Sequence, residues 1–144
     1  MADEDNDAGH SSRPDTSGYF APLTMSKYVQ LTTFRRDGTA VATPVNMVVV
    51  GDTAFFRTWD ATGKAKRLRH TTRVEVAPST VRGRALGPAI PAEARLLDGV
   101  GSEHAARLLA KKHPLLHGTL IPRYHLLRGW TTLHYRVIPP ATGS

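Results

Sequence analysis

Apolar and polar positions alternate along the chain from Tyr28 onward, and the alternation reads as β-strand. In Tyr28-Val-Gln-Leu-Thr-Thr-Phe34, one side of an extended chain carries Tyr28, Gln30, Thr32 and Phe34, and the other carries Val29, Leu31 and Thr33. Aromatic and β-branched residues of this kind fit a pleated, half-buried surface. Asp37-Gly38 follows, a pair that tolerates the positive φ of a tight turn, so Arg36–Thr39 predicts a hairpin. A second strand is expected over Thr39–Val50, interrupted at Pro44, which belongs on a sheet edge or at a bulge. Gly51-Asp52 predicts another tight turn into a third strand, Thr53–Trp59, and the three strands read as a meander. The stretch before them, Pro22–Lys27, reads as a helical or irregular lead-in.

The period then changes. After a turn at Asp60–Gly63, Lys64–Arg69 predicts a short helix with Thr62 as N-cap and with Ala65 and Leu68 on one face. A fourth strand is expected at Arg73–Ala77. A loop at Pro78–Gly83 and a long irregular strand, Arg84–Asp98, bent at Gly87-Pro88 and Pro91, should follow. Ser102 is the expected cap of a helix reaching Lys112, with Ala105, Leu108, Leu109 and Lys112 at helical spacing and Pro114 ending it. Leu115–Trp130 reads as helical pieces with turns, and Thr131–Ile138 as a last strand. Strands outnumber helices, and the early strands connect by turns that only antiparallel neighbours can use. The expected fold is mainly β, a small barrel with a few short helices.

Composition fits one domain of 144 residues, 40% apolar and 22% charged. Residues 1–18 are expected to form a disordered acidic tail and residues 19–140 the folded domain. No stretch approaches the roughly 18 apolar residues of a membrane span. The chain has no Cys, which excludes disulfides, thiolate catalysis and Cys-based metal sites, and fits a cytoplasmic location. The acidic start (Asp3, Glu4, Asp5, Asp7) is unlike a secretory leader.

Charge is uneven. The chain carries 19 basic and 12 acidic residues, but residues 1–20 hold five acidic residues against Arg13 alone, which leaves 18 against 7, or +11, for the rest. Such a body attracts phosphates or polycarboxylates, in a nucleic acid or in a small anionic cofactor. The strand-turn-helix passage Phe55–Arg69 is the strongest local candidate. Helix N-terminal N–H groups, Thr62 and Lys64 could serve one phosphate, with Arg67 three residues beyond Lys64 on the same face. The same residues also read as a solvated basic helix at the barrel's open end.

Of the seven histidines, His113 and His117 have helical ligand spacing, but Pro114 lies between them, so no metal site is expected. Tyr124, His125 and Arg123 are candidates for a substrate-side proton donor, and Trp59 and Trp130 read chiefly as packing. Nothing resembles a Ser-His-Asp set or a carboxylate pair.

Three segments, Lys27–Thr39, Val41-Ala-Thr-Pro-Val45 and Thr62-Gly-Lys-Ala-Lys-Arg-Leu-Arg69, together resemble the split-β-barrel flavin and deazaflavin oxidoreductases. These are relatives of pyridoxamine 5′-phosphate oxidase, and within them the match is to the F-420-dependent branch. Arg73-Val-Glu-Val-Ala-Pro78, Arg82–Pro88 and Ala94–Asp98 extend the match, which runs from Tyr19 to Ile138. The resemblance implies a split β-barrel and a homodimer with cofactor sites at the subunit interface. It also implies a hydride transfer from reduced coenzyme F-420 to a small organic substrate. It places the cofactor phosphate on Thr62, Gly63 and Lys64, with Arg67 nearby, and the ring on Thr43, Pro44 and Val45 and near Thr58.

Asn46 stands where the branch commonly has an aromatic residue, and Ser79 and Thr80 follow Pro78 where it often has Cys. Asn46 thereby joins the candidate cofactor contacts. A deazaflavin performs its own hydride chemistry, so the protein need only bind, orient and polarise. Residues 64–84 hold seven basic residues against Glu75, which suits a strongly anionic ligand, although Arg82 and Arg84 read as solvating a loop. The rival expectations are FMN or haem in the same pocket, a non-catalytic coenzyme carrier, and a basic nucleic-acid-binding barrel. The last lacks the interleaved surface aromatics that stack bases.

Overall fold

The early chain folds as two hairpins whose turns sit where Asp37-Gly38 and Gly51-Asp52 put them. In the computed structural model, which describes residues 18–113 and 131–141, Gly38 and Gly51 both have positive φ, +89° and +63°. The first turn joins β1 (Tyr28–Phe34) to β2 (Ala40–Val45), and the second joins β3 (Met47–Val50) to β4 (Thr53–Trp59). The expected second strand is therefore two strands, and they part at Asn46 rather than at Pro44. Pro44 stays inside β2, opposite Gln30, on a sheet edge where its missing N–H costs no ladder bond.

The meander expected over the first three strands is replaced by a single curled sheet in which the two hairpins lie at opposite edges. The remaining strands are β5 (Arg73–Ser79), β6 (Ile90–Leu96) and β7 (Thr132–Ile138), and the sheet order is β2-β1-β5-β6-β7-β4-β3, antiparallel throughout. The two end strands are separated in the chain by Asn46 alone, so the sheet has to curl until its edges meet at that residue. The curl encloses a core that includes Val29, Leu31, Met47, Phe56, Val74, Val76 and Val137, each fully buried. Burial stabilises such side chains by roughly 1.5–3 kcal/mol apiece. The Phe56 and Tyr135 rings stack at 5.0 Å across neighbouring strands.

Two helices complete the described residues. Helix α1 (Gly63–Leu68) turns Ala65 and Leu68 inward, as their spacing predicted. Helix α2 (Gly99–Lys112) begins three residues before the expected Ser102, with Asp98 at the N-cap. The Ser102 hydroxyl instead meets Nδ1 of His134 on β7 at 2.7 Å, a partner that lies across the fold and that local sequence does not disclose. His113, the last described residue before Pro114, has left the helical conformation, with φ −128° and ψ 64°, as the α region is disfavoured ahead of a proline. The irregular strand expected over Arg84–Asp98 narrows to β6. Residues before it make a tight loop against β5, with Thr80 N bonded to Arg84 O and Leu86 N to Pro78 O. The readings for the tail and for Leu115–Trp130 fall outside the described residues. No helix among the described residues is long and apolar enough to cross a membrane.

Candidate functional site

Where β4 runs out, one hydroxyl organises the turn into α1. Thr62 Oγ1 accepts from Ala65 N at 3.2 Å as the helix cap, donates to Trp59 O at 2.9 Å, and lies 3.0 Å from Thr58 Oγ1. A threonine hydroxyl has one hydrogen and two lone pairs. Its hydrogen goes to Trp59 O, so Thr58 donates to Thr62, and the group is saturated. Thr62 therefore shapes the turn and has no hydrogen left for a ligand. Asp60 ties the same turn to the start of β7: its N donates to Thr131 O at 2.9 Å, and Thr131 N donates to its carboxylate at 3.3 Å.

A cleft of about 300 Å³ opens between this turn and the Asn46 bend. One wall is Pro44, Val45 and Asn46; the other is Arg57, Thr58 and Trp59; Thr62 and Lys64 close the end. The bend is held from both sides. Asn46 Nδ2 donates to Lys27 O at 3.1 Å. From the end of α2, Lys112 Nζ donates to Met47 O at 2.7 Å and Ser26 O at 3.1 Å, and His113 Nε2 to Met47 O at 3.3 Å. The Pro44 rim is fixed by the β5–β6 loop. Gln30 donates to Gly83 O at 2.7 Å, and Gly83, with φ +91°, packs so close that an added Cβ would lie 3.2 Å from Pro44 Cδ.

The cleft is positive. Among the described residues, its lining includes Arg57 and Lys64 and no carboxylate. Lys64 is half-buried, and burial, then the nearby charge of Arg67, pull its ammonium below the ordinary lysine range. Burial does the same to Arg57. Helix α1 is only six residues long, so the charge at this end of the cleft resides in the Lys64 side chain more than in the helix dipole.

No model of a known family matches the chain, and no curated protein does. Solved structures do. The chain is similar to a protein of Listeria innocua provisionally named a pyridoxamine 5′-phosphate oxidase, with a TM-score of 0.59 and 17% identity over 85% of this chain and 91% of that one. It is also similar to HutZ, the heme storage protein of Vibrio cholerae, with a TM-score of 0.57 and 15% identity over 81% and 84% of the two chains. A third similar structure is an F420 reductase, with a TM-score of 0.54 and 18% identity over 90% and 97%. The fold is the split β-barrel of pyridoxamine 5′-phosphate oxidase-like proteins.

Within the split barrel, six of the nine residues expected at the site come together in the cleft: Pro44, Val45, Asn46, Thr58, Thr62 and Lys64. Thr43, Gly63 and Arg67 lie beside it. Thr43 is not part of the lining, and its Oγ1 is buried with no hydrogen-bond partner among the described residues. Arg67 does not project alongside Lys64 into the cleft. Its Nε donates to Thr33 on β1 at 2.5 Å, and its guanidinium crosses Gly63, where an added Cβ would come within 2.7 Å of Nη1. Gly63 thus makes room for a tether between α1 and β1.

Arg82 and Arg84 are exposed and outside the cleft lining. The split barrel adds two residues to the site, Arg57 and Trp59. The local sequence assigns Trp59 chiefly to packing and does not single out Arg57. Its signal was present: a single charge in Thr-Ala-Phe-Phe-Arg-Thr-Trp, an otherwise apolar strand. Among the described residues, no group of His, Asp or Glu is placed to hold a metal ion, and Tyr124, His125 and Arg123 lie outside them.

Proposed function

We propose that the cleft binds the phosphate-bearing end and the fused ring of coenzyme F-420, and that the protein is a cytoplasmic oxidoreductase acting on a small organic substrate. The observation that carries this reading is Lys64, a half-buried ammonium in a carboxylate-free cleft with no hydrogen-bond partner among the described residues. A desolvated cation of this kind gains most from a bound anion. The cleft volume lies at the lower end of the roughly 300–1,000 Å³ typical of small-ligand sites. Among the described lining side chains none is a His, Met or Tyr that could ligate haem iron, which makes FMN the stronger rival cofactor.

When bound, a reduced deazaflavin supplies the hydride. The chain's own work is then positional. Lys64 would hold the phosphate, and the turn locked by Thr62 would fix where that ammonium sits. Pro44, Val45 and Asn46 would offer a flat backbone wall, braced by Lys112, for the ring. Trp59 would shield the opposite side from water. A second copy of the chain would cover the open rim. Val81 and Leu86 are 59% and 60% exposed on the loop that packs against Pro44, and covering them would enclose the cleft and make the active form a homodimer.

The test is a fluorescence titration of the purified protein with F-420, repeated with FMN and haem. The wild type should saturate with F-420, whereas Lys64→Glu should bind at least ~30-fold more weakly with an unchanged circular dichroism spectrum. That ratio corresponds to the ~2 kcal/mol lower bound for breaking a desolvated charge pair. Equal affinities for wild type and variant would overturn the assignment of Lys64. Preferential saturation with FMN would move the same site to flavin chemistry.

A further inference from the structure

The end of the barrel beside α1 gathers arginines that are not part of the cleft lining. Arg35 and Arg36 open the turn after β1, Arg67 and Arg69 lie at the end of α1, and Arg73 begins β5. Their contacts converge on the last residues of β1. Arg67 Nε donates to Thr33 at 2.5 Å, His70 Nε2 meets Phe34 O at 3.1 Å, and the Arg73 guanidinium lies over the Phe34 ring at 4.0 Å. Burial, then the charge of Arg35, pulls Arg67 below the ordinary arginine range, so these two guanidiniums share one field.

Arg35, Arg36, Arg69 and Arg73 are exposed. The carboxylates around them are engaged or set back. Asp37 accepts from Thr39 N at 2.9 Å, and Glu93, opposite Arg73 on β6, pairs with Arg95 at 2.7 Å. Glu75 is two residues further along β5. Among the described residues, none of the five arginines forms an ion pair. Gathered like charges repel one another, and an anion laid across them relieves the repulsion.

The point where the chain enters the fold puts one such anion at hand. Tyr19 donates its hydroxyl to Pro91 O at 2.6 Å, and Pro91 stands opposite Glu75 on β5. Strand rise and spacing then separate Pro91 from Arg73 by about 8 Å. Ahead of Gly18 the sequence carries Asp3, Glu4, Asp5, Asp7 and Asp15 against Arg13. Asp7 stands eleven positions before Gly18, so the chain between them can span as much as about 36 Å. Such a tether holds the acids near the arginines at an effective concentration on the order of millimolar, which lets individually weak surface pairs act together. Guanidinium forks also match carboxylates two oxygens at a time. A nucleic acid would find the same charge but little to stack on, because Phe34 is 7% exposed and lies beneath Arg73.

We propose that this arginine cluster is a docking surface and that its occupant is the chain's own acidic N-terminal segment, Asp3 to Asp7, which screens it from outside polyanions. The contact is independent of which cofactor the cleft takes.

The chain has no Cys, so Ala8→Cys offers one thiol for a nitroxide label beside Asp7. Amide signals of the isotope-labelled full-length protein then report where the label dwells. At low salt, broadening should concentrate at residues 34–37 and 67–73, and it should vanish at about 1 M salt, where the screening length is about 3 Å. Changing Arg35, Arg36 and Arg69 together to Gln should abolish it with the rest of the spectrum unchanged, since these side chains are exposed and the Thr33 and Phe34 contacts stay. Asp3→Asn, Glu4→Gln, Asp5→Asn and Asp7→Asn together should also abolish it, and should tighten binding of a single-stranded oligonucleotide probe about tenfold. In the arginine variant the same neutralisation should change oligonucleotide affinity by less than about twofold, which separates docking from net charge. If the arginine variant does not fold, loss of the broadening on neutralising the acids decides alone. Broadening that is absent, evenly spread or unchanged in either variant overturns the proposal. Equal broadening with label and isotope on different chains assigns the segment to a second copy, and equal oligonucleotide affinities for wild type and the neutralised variant remove the screening; either result overturns it too.

Discussion

Acid should weaken this fold through one imidazole. His134 is 7% exposed, and burial, then the charge of Arg57, hold its pKa at about 4 instead of the ordinary 6.5. In the unfolded chain it protonates as the pH falls through its ordinary value, whereas in the folded barrel it resists. Stability contributed by the neutral imidazole is therefore complete above the ordinary value and is lost progressively as the pH falls toward 4. Between pH 7 and pH 5 the linkage amounts to about 2 kcal/mol.

His134→Asn removes the titration and keeps a polar atom near Nδ1 for the Ser102 hydroxyl. Urea denaturation of both proteins at the two pH values separates this residue from every other group, because the remaining titrations cancel in the difference. Wild type should lose about 2 kcal/mol more than the variant on acidification. Parallel losses would show that the imidazole is not held neutral by its surroundings, and would remove the electrostatic picture drawn for Arg57 as well.

Two further outcomes follow from the site's geometry. Lys112→Met removes the ammonium that holds the carbonyls of Ser26 and Met47, and should cost about 1.5–3 kcal/mol in denaturant unfolding, with weaker cofactor binding because the Pro44–Asn46 wall is released. Thr62→Val keeps the shape of the side chain and deletes its bonds to Ala65 and Trp59. It should cost about 1 kcal/mol of stability, and an unchanged melting temperature would contradict its role as a cap.

Local chemistry made much of the fold readable. Asp37-Gly38, the alternation in β1 and the Thr62 cap act over a few residues, and each lies where its pattern placed it. Sheet closure was not readable, because nothing in Val45-Asn46-Met47 announces that the chain leaves one edge of a seven-stranded sheet for the other. The start of α2 was misplaced for a related reason. Ser102 has the chemistry of a cap but is bonded to His134, thirty-two positions away. At the site, Lys64 and the Pro44–Asn46 wall emerged from local motifs and the resemblance they carry. Arg67 was paired with Lys64 by helical spacing alone, and the attraction of Thr33 on β1 decided otherwise. Arg57 needed the three-dimensional curl to bring the middle of β4 against the bend.

The seam at Asn46 also has a bearing on how the molecule assembles. Its braces come from residues far apart in the chain, Lys27 on one side and Lys112 with His113 on the other. The first hairpin can form early from neighbouring residues, but the recess cannot exist until the long second helix has docked. A small molecule lodged there would grip early-made and late-made parts at once. It would act as a keystone, slowing the opening of the whole barrel and not merely of the strands it touches.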